Sequence, residues 1–223
     1  SASYVEDSLK QLETGFYEGT LTKNELKVFI DTFNDGIRLM TANLVRASDL
    51  MTSFKQVSAD QSYDEDRDFN LNDYLQETLY TLKPNLKRYQ VAIILDCEPD
   101  IVIHSLPGAL SQVFTNLIMN SLIHAYEPSD NGNIRIQVKQ LKEDIEITYS
   151  DDGKGMSDDV RKKIFDPFFT TKRGNGGTGL GMHIIYNIVS HKLQGTIDVN
   201  STLGEGSQFI ITLPKKVSTD NSE

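Results

Sequence analysis

Over the first sixty residues the apolar positions recur in alternating steps of four and three. Leu26, Ile30, Phe33, Ile37, Met40, Leu44, Ala47, Met51 and Phe54 keep this rhythm for about four heptads, the spacing of a coiled-coil seam. Val5, Leu9, Leu12 and Phe16 show the same rhythm earlier. The Gly19-Thr20-Leu21-Thr22 break between the two runs fits a turn with Thr22 capping the second helix. The pair reads as an antiparallel helical hairpin. Its second helix exceeds the usual globular length, so it is expected to pack against another chain and form a four-helix bundle in a dimer. A helical subdomain closed within one chain is the other reading of the pattern.

The polar segment Ser58 to Asp68 carries no apolar period and reads as a linker. A second domain follows. The pattern predicts a helix over Leu71 to Leu86, strands over Val91 to Asp96 and Ile101 to His104, and a helix from Pro107 to about Tyr126. Strands are expected near Ile134 to Leu141 and Ile145 to Ser150, then a glycine-rich loop, a helix from Leu180 to His191, and strands near Thr196 to Asn200 and Gln208 to Leu213. Grouped helices beside mostly antiparallel strands predict an α+β fold, a two-layer α/β sandwich with a mixed sheet. The expected organisation is a hairpin domain over 1–60, a linker over 61–68, a second domain over 69–215 and a disordered tail over 216–223.

Composition narrows the function classes. The 223 residues carry a net charge of −10, and no basic patch interleaves with aromatics, so nucleic acid is not an expected partner. The one cysteine, Cys97, can form no internal bridge, which suits a reducing compartment and makes the cytoplasm the expected location. No apolar run approaches the roughly 20 residues that cross a bilayer, so membrane contact by these residues is not expected.

Three segments carry candidate chemistry. Gln112, Asn116 and Asn120 stand at successive i, i+4 positions, so three amides share one stripe of an otherwise apolar helix. A buried amide without a partner costs about 1 to 3 kcal/mol. Mg²⁺ with a triphosphate would supply partners, because Mg²⁺ takes a few protein oxygens and completes its shell with water and phosphate; capping of neighbouring loops is the alternative. Asp151-Asp152-Gly153-Lys154-Gly155-Met156 closes a strand that alternates Ile145, Ile147 and Tyr149. A carboxylate there can accept from an adenine amine while bare glycine backbone admits the flat base, although a plain Asp-Gly turn has the same appearance. Gly174-Asn175-Gly176-Gly177-Thr178-Gly179-Leu180-Gly181 opens a helix and could cradle phosphates, with Lys172 and Arg173 as the nearest positive charges. It contains G-x-G-x-x-G, but no buried strand of a βαβ unit precedes it and no Gly-Lys-Ser/Thr follows, so neither a dinucleotide fold nor a P-loop fits. A flexible surface loop remains the other reading.

In order, these segments resemble the boxes of the histidine kinase catalytic domain, within the ATPase superfamily shared with gyrase and a heat-shock chaperone. Gln112 to Ser121 resembles the N box, Asp151 to Gly155 the first glycine box, and Ile164-Phe165-Asp166-Pro167-Phe168-Phe169-Thr170-Thr171-Lys172 the F box. Gly177 to Gly181 is similar to the second glycine box, and Gly204-Glu205-Gly206-Ser207 to the closing G-x-G-T/S turn. The resemblance implies ATP and Mg²⁺ as ligands, with Asn120 on the metal, Asn116 near the phosphates and Asp151 on the adenine. Gly153, Gly155, Lys172, Arg173, Gly177, Thr178, Gly179, Leu180 and Gly181 complete the implied nucleotide site. Gln112 stands where many members have a glutamate; Gln112 and Asn116 are the catalytic candidates. His124 falls where the family often has a phosphate-contacting basic or aromatic residue, and a packing histidine is its other reading.

The hairpin is similar to the family's dimerisation and phosphotransfer domain but lacks the acceptor. The four histidines, His104, His124, His183 and His191, all lie outside it, so the sequence reads as a fragment cut just after the acceptor, able to bind ATP but not to autophosphorylate. The resemblance implies a homodimer through the hairpin, phosphoryl transfer from ATP to a histidine and then to an aspartate on a response-regulator receiver domain, and a receiver surface around Arg46 and Lys55. Two other classes stay open: an ATP-hydrolysing conformational clamp, which would want a glutamate at Gln112 and a transducer domain, and a non-catalytic nucleotide-binding dimerisation module.

Overall fold

The computed structural model describes residues 2–59, 65–86, 89–127, 130–172 and 178–217. Arg173, the glycines from Gly174 to Gly177, residues 60–64 of the expected linker, and the side chains of Arg46 and Lys55 lie outside the described residues. The chain divides into two units, Ser1–Thr52 and Ser53–Glu223.

The first unit holds helix α1 (Ala2–Tyr17) and most of helix α2 (Lys23–Ala59). The turn between them satisfies both helix ends with its own residues. At the C-terminus of α1, Thr20 N–H donates to the Gly15 carbonyl at 2.9 Å and Gly19 N–H to Phe16 at 3.2 Å, a Schellman closure with Gly19 at φ 70°. At the start of α2, Glu25 N–H donates to Thr22 Oγ1 at 3.2 Å while Thr22 N–H donates to Glu25 Oε2 at 2.8 Å, a reciprocal capping box. Of the expected seam, Leu26, Ile30, Phe33, Ile37, Met40 and Leu44 are all exposed in the single chain. Among the described residues, no helix is long and apolar enough to cross a membrane.

The second unit is an α+β sandwich. Strand β1 (Arg67–Asn70) leads into helix α3 (Leu71–Leu86), then strands β2 (Gln90–Cys97) and β3 (Val102–Ser105). Helix α4 (Pro107–Asn120) widens into a π turn over Ser121–Ala125 before strands β4 (Asn131–Gln140) and β5 (Asp144–Asp151). Short helix α5 (Asp158–Arg161), helix α6 (Gly181–Asn187), and strands β6 (Thr196–Ser201) and β7 (Ser207–Pro214) complete it. The main sheet has the order β2-β4-β5-β7-β6; β2 runs parallel to β4, and the other pairings are antiparallel.

Period-two burial makes the sheet one-sided. Ile134, Ile136 and Val138 of β4, Ile145, Ile147 and Tyr149 of β5, and Phe209, Ile211 and Leu213 of β7 are buried in one cluster with Leu110, Val113, Phe114, Leu117 and Ile118 of α4 and Ile185 of α6. Each fully buried aliphatic side chain contributes roughly 1.5 to 3 kcal/mol. The same alternation brings Asp151, the last residue of β5, onto the buried face beneath α4.

Two expected boundaries move. Residues assigned to the linker up to Asp68 already form β1, which pairs antiparallel with β3. The disorder expected over 216–223 does not hold for Lys216 and Val217. His104 N–H donates to the Lys215 carbonyl and Val217 N–H to the His104 carbonyl, at 2.8 and 2.9 Å, and Val217 is buried. Both segments are polar and short, and only pairing with β3 makes them strand-like.

Candidate functional site

A cavity of about 520 Å³ opens between the end of α4, the loop after β5, the segment after α5 and the start of α6. Asn116, Asn120, His124, Asp151, Gly155, Thr178, Gly179 and Gly181 all line it, so the amide stripe and the strand-end carboxylate face one space. Gln112, Gly153, Lys172 and Leu180 do not line it. Gln112 sits one turn before Asn116 on α4; Gly153 supports Asp151; Leu180 caps α6, receiving Ile184 N–H at 2.9 Å. Lys172 is drawn to Glu127, 3.7 Å away.

Asp151 is only 7% exposed. Its Oδ2 accepts from Ser121 Oγ at 3.0 Å and its Oδ1 from Gly153 N–H at 3.2 Å. Burial raises its pKa above the ordinary carboxylate value, while the hydrogen bonds from Ser121, Gly153 and Ser207 work in the opposite direction. Behind it, Tyr149 OH lies 2.9 Å from Ser121 Oγ. The neighbouring Asp152 points elsewhere: it accepts from Asn133 N–H at 2.7 Å, from Asn133 Nδ2 at 2.8 Å and from Tyr126 OH at 2.9 Å. The little burial it has acts upward on its pKa, but those donors hold it below the ordinary value. Two adjacent carboxylates thus differ in role, one lining the cavity and one tying the loop to β4.

The loop after β5 is held by the β6–β7 turn. Gly155 has φ 63°, and a Cβ there would lie 2.0 Å from the Thr202 carbonyl oxygen, so only glycine fits without displacing backbone. Gly204 N–H donates to the Lys154 carbonyl at 2.7 Å. Met156 N–H donates to Ser201 Oγ at 2.9 Å, and Ser201 Oγ in turn donates to the Gly206 carbonyl at 2.7 Å. The closing Gly204 to Ser207 turn therefore braces the Asp151 loop from below.

The two asparagines differ in how their amides are used. Asn120 Nδ2 donates to Met182 Sδ at 3.1 Å, which leaves its Oδ1, a hard neutral oxygen, for a cation. Asn116 Nδ2 is buried with no hydrogen-bond partner. A lone buried donor lining a cavity fits an acceptor brought by a ligand, such as a phosphate oxygen. His124 accepts or donates at Nδ1 with Thr171 Oγ1, 3.2 Å away; burial, then Lys172 and Lys154, lower its pKa and favour the uncharged ring. The remaining wall is apolar, with Ile123, Met156, Ile164, Ile184 and Phe209. A flat base can lie against it while polar groups gather at the other end.

Ser121, Tyr149 and Met182 escaped sequence reasoning. In the sequence Ser121 stands only at the end of the N box, Tyr149 only in a strand alternation, and Met182 in no motif. No spacing rule reports that α4 ends over β5, or that the π turn carries both Ser121 and His124 to the cavity.

Comparison with known proteins shows the family and the fold. Residues 106–217 match the family described as histidine kinase-, DNA gyrase B-, and HSP90-like ATPase. Sporulation kinase E of Bacillus subtilis strain 168 is 34% identical over 180 residues, covering 79% of this chain but 23% of that protein, so the chain spans well under half the length of this curated relative. The solved catalytic domain of histidine kinase ThkA is similar at a TM-score of 0.60 and 27% identity, covering 68% of this chain and 97% of that domain. Histidine kinase ThkA in complex with response regulator protein TrrA shares the fold at a TM-score of 0.59 and 20% identity, over 96% of this chain and 59% of that one. The family match spans half of the chain and contains the asparagines, Asp151 and the glycine turns that build the cavity, and the chain belongs to the histidine kinase-, DNA gyrase B- and HSP90-like ATPase family.

Proposed function

We propose that this chain is the ATP-binding catalytic part of a sensor histidine kinase, passing the γ-phosphoryl group of ATP to an acceptor histidine that is none of the four in this sequence and from there to a response-regulator aspartate. The supporting observation is that a buried carboxylate, Asp151, and an unpartnered buried amide, Asn116 Nδ2, line one cavity with an apolar wall. Bound MgATP supplies the electrophilic phosphoryl group and the metal charge that neutralises the triphosphate. Asp151 accepts from the exocyclic amine of adenine, a contact that the carbonyl oxygen of guanine would turn into repulsion. Asn116 donates to a phosphate oxygen, and Asn120 offers Oδ1 to Mg²⁺ while Met182 holds its Nδ2. Lys154, at the cavity wall, adds positive charge, and Lys172 and Arg173 are the next positive charges in the sequence before α6. The domain's work is positioning and charge neutralisation.

The exposed apolar seam of α2, with Ile30 48% and Ile37 44% accessible, supports a homodimer through the hairpin, since such a stripe needs a partner helix. The complex of ThkA with a response regulator supports a receiver domain as the second partner, docking around Arg46 and Lys55, and these features suit the cytoplasmic side of a signalling protein. The test is to join this sequence to a helix bearing an acceptor histidine and incubate it with γ-labelled ATP. Acid-labile, base-stable labelling is expected. A chain that binds ATP yet labels no histidine would overturn the kinase reading and leave a nucleotide-binding dimerisation module.

A further inference from the structure

We propose that Glu127 is an internal competitor for the phosphates of the nucleotide: its carboxylate holds the Lys172 ammonium at the rim of the cavity in the nucleotide-free chain and surrenders it when a triphosphate arrives. The inference rests on the reading of the cavity as a nucleotide site and deepens it, by naming a residue that sets how strongly phosphates bind there.

A surface lysine ordinarily leaves its ammonium in water. Lys172 does not: its side chain is only 25% exposed, and its Nζ lies 3.7 Å from Glu127 Oε1. The backbone on both sides of this pair is fixed. Lys172 N–H donates to Thr170 Oγ1 at 3.2 Å, and Thr171 Oγ1 lies 3.2 Å from His124 Nδ1. Glu127 N–H donates to Asp130 Oδ2 at 2.8 Å, and Asp130 N–H donates back to the Glu127 carbonyl at 2.9 Å. Thr171 and His124 both line the cavity, whereas Lys172 and Glu127 do not. The ammonium nevertheless acts on the cavity wall, because Lys172 is, after burial, the next cause that lowers the pKa of His124.

A lysine is a point charge on a flexible four-carbon stem, so rotation of its own bonds can carry the charge from the carboxylate to an anion beside His124. The Glu127 side chain is 65% exposed, and an ion pair so placed is weak enough to be exchanged. A triphosphate carries more negative charge than one carboxylate and attracts the ammonium more strongly. Recruiting Lys172 still breaks the pair, so whatever the pair contributes is subtracted from phosphate binding. A nucleoside without phosphate leaves the pair intact.

The test is titration of the full chain with MgATP by calorimetry and with adenosine by NMR chemical shifts. The proteins are the parent, Glu127→Gln, Lys172→Gln and the double variant, with folding checked by thermal unfolding. Glu127→Gln should bind MgATP roughly two- to fivefold more tightly, the range of an exposed ion pair, with adenosine affinity unchanged. Lys172→Gln should weaken MgATP, and adding Glu127→Gln to it should give no gain. A gain of the same size in the Lys172→Gln background is what the mere loss of a negative charge would give. That result, a gain for adenosine as well, or no gain from Glu127→Gln alone would overturn the assignment while leaving the ATP reading intact. A parent that binds neither MgATP nor adenosine would overturn both.

Discussion

Gly155 offers the sharpest stability test of how the Asp151 loop is built. It stands at φ 63°, and an added Cβ would lie 2.0 Å from the Thr202 carbonyl oxygen and 2.9 Å from that of Gly206. Gly204, in the same brace, has φ 88° but open space around its missing Cβ. Alanine at Gly204 therefore incurs only the left-handed backbone penalty, about 1 to 2 kcal/mol. Alanine at Gly155 incurs the same penalty and also forces backbone apart by about 1 Å or more, a displacement that overpacking costs put at roughly 1 to 3 kcal/mol. It also strains the Gly204 N–H to Lys154 bond, worth about 1 kcal/mol. The expected losses are about 1 to 2 kcal/mol for Gly204→Ala and about 3 to 6 kcal/mol for Gly155→Ala. At roughly 2 to 4 °C per kcal/mol for a unit of this size, calorimetric unfolding of the full chain should lower the transition of the second unit clearly further for Gly155→Ala. Nucleotide affinity should fall in that variant and persist in Gly204→Ala. Equal shifts in the two variants would refute the idea that the β6–β7 turn presses on the Asp151 loop.

Two further outcomes follow from the site's electrostatics and packing. Asn116→Leu removes a buried donor without a partner, whose burial costs about 1 to 3 kcal/mol. The nucleotide-free chain should keep or gain stability while the thermal shift caused by MgATP disappears, and a clear loss of stability without nucleotide would contradict this. Asp151 and Asp152 should have opposite pH signatures. Burial raises Asp151's folded pKa above 3.8, so its stabilising contribution is full below that value and is lost as pH rises through the folded pKa. Asp152's folded pKa is lowered, so its contribution is present above 3.8 and lost as pH falls through the folded pKa. Urea unfolding of Asp151→Asn and Asp152→Asn from pH 3 to pH 7 should show the first becoming relatively more stable with rising pH and the second relatively less, and parallel profiles would contradict the assignment.

The helices, the main strands and the choice of Asn116, Asn120 and Asp151 as residues that line one cavity were legible because each rests on local spacing. A stripe at i, i+4 and a carboxylate at a strand end can be read without knowing what lies opposite. Strand β1 and the Lys215–Val217 segment were illegible because their polar residues become strand only by pairing with β3. The contrast between Asp151 and Asp152 was equally hidden. It depends on Asn133 and Tyr126 reaching one carboxylate and Ser121 the other across gaps of 19 to 30 residues in sequence. Gln112 shows where local spacing stops being informative. It shares the amide stripe, but the stripe meets the cavity only at its C-terminal end, so Asn116 and Asn120 line the space and Gln112 does not.

The central claim is that Asp151 reads an adenine amine in the same cavity where the amides of α4 meet the phosphates. Calorimetric titration of MgATP into the full chain and into Asp151→Asn tests it directly. Exchanging an acceptor-only carboxylate for an amide should cost roughly 1.5 to 3 kcal/mol, about tenfold to a hundredfold in affinity, with the fold retained. Binding of equal strength to both proteins, or no heat from adenine nucleotides with the parent chain, would contradict it.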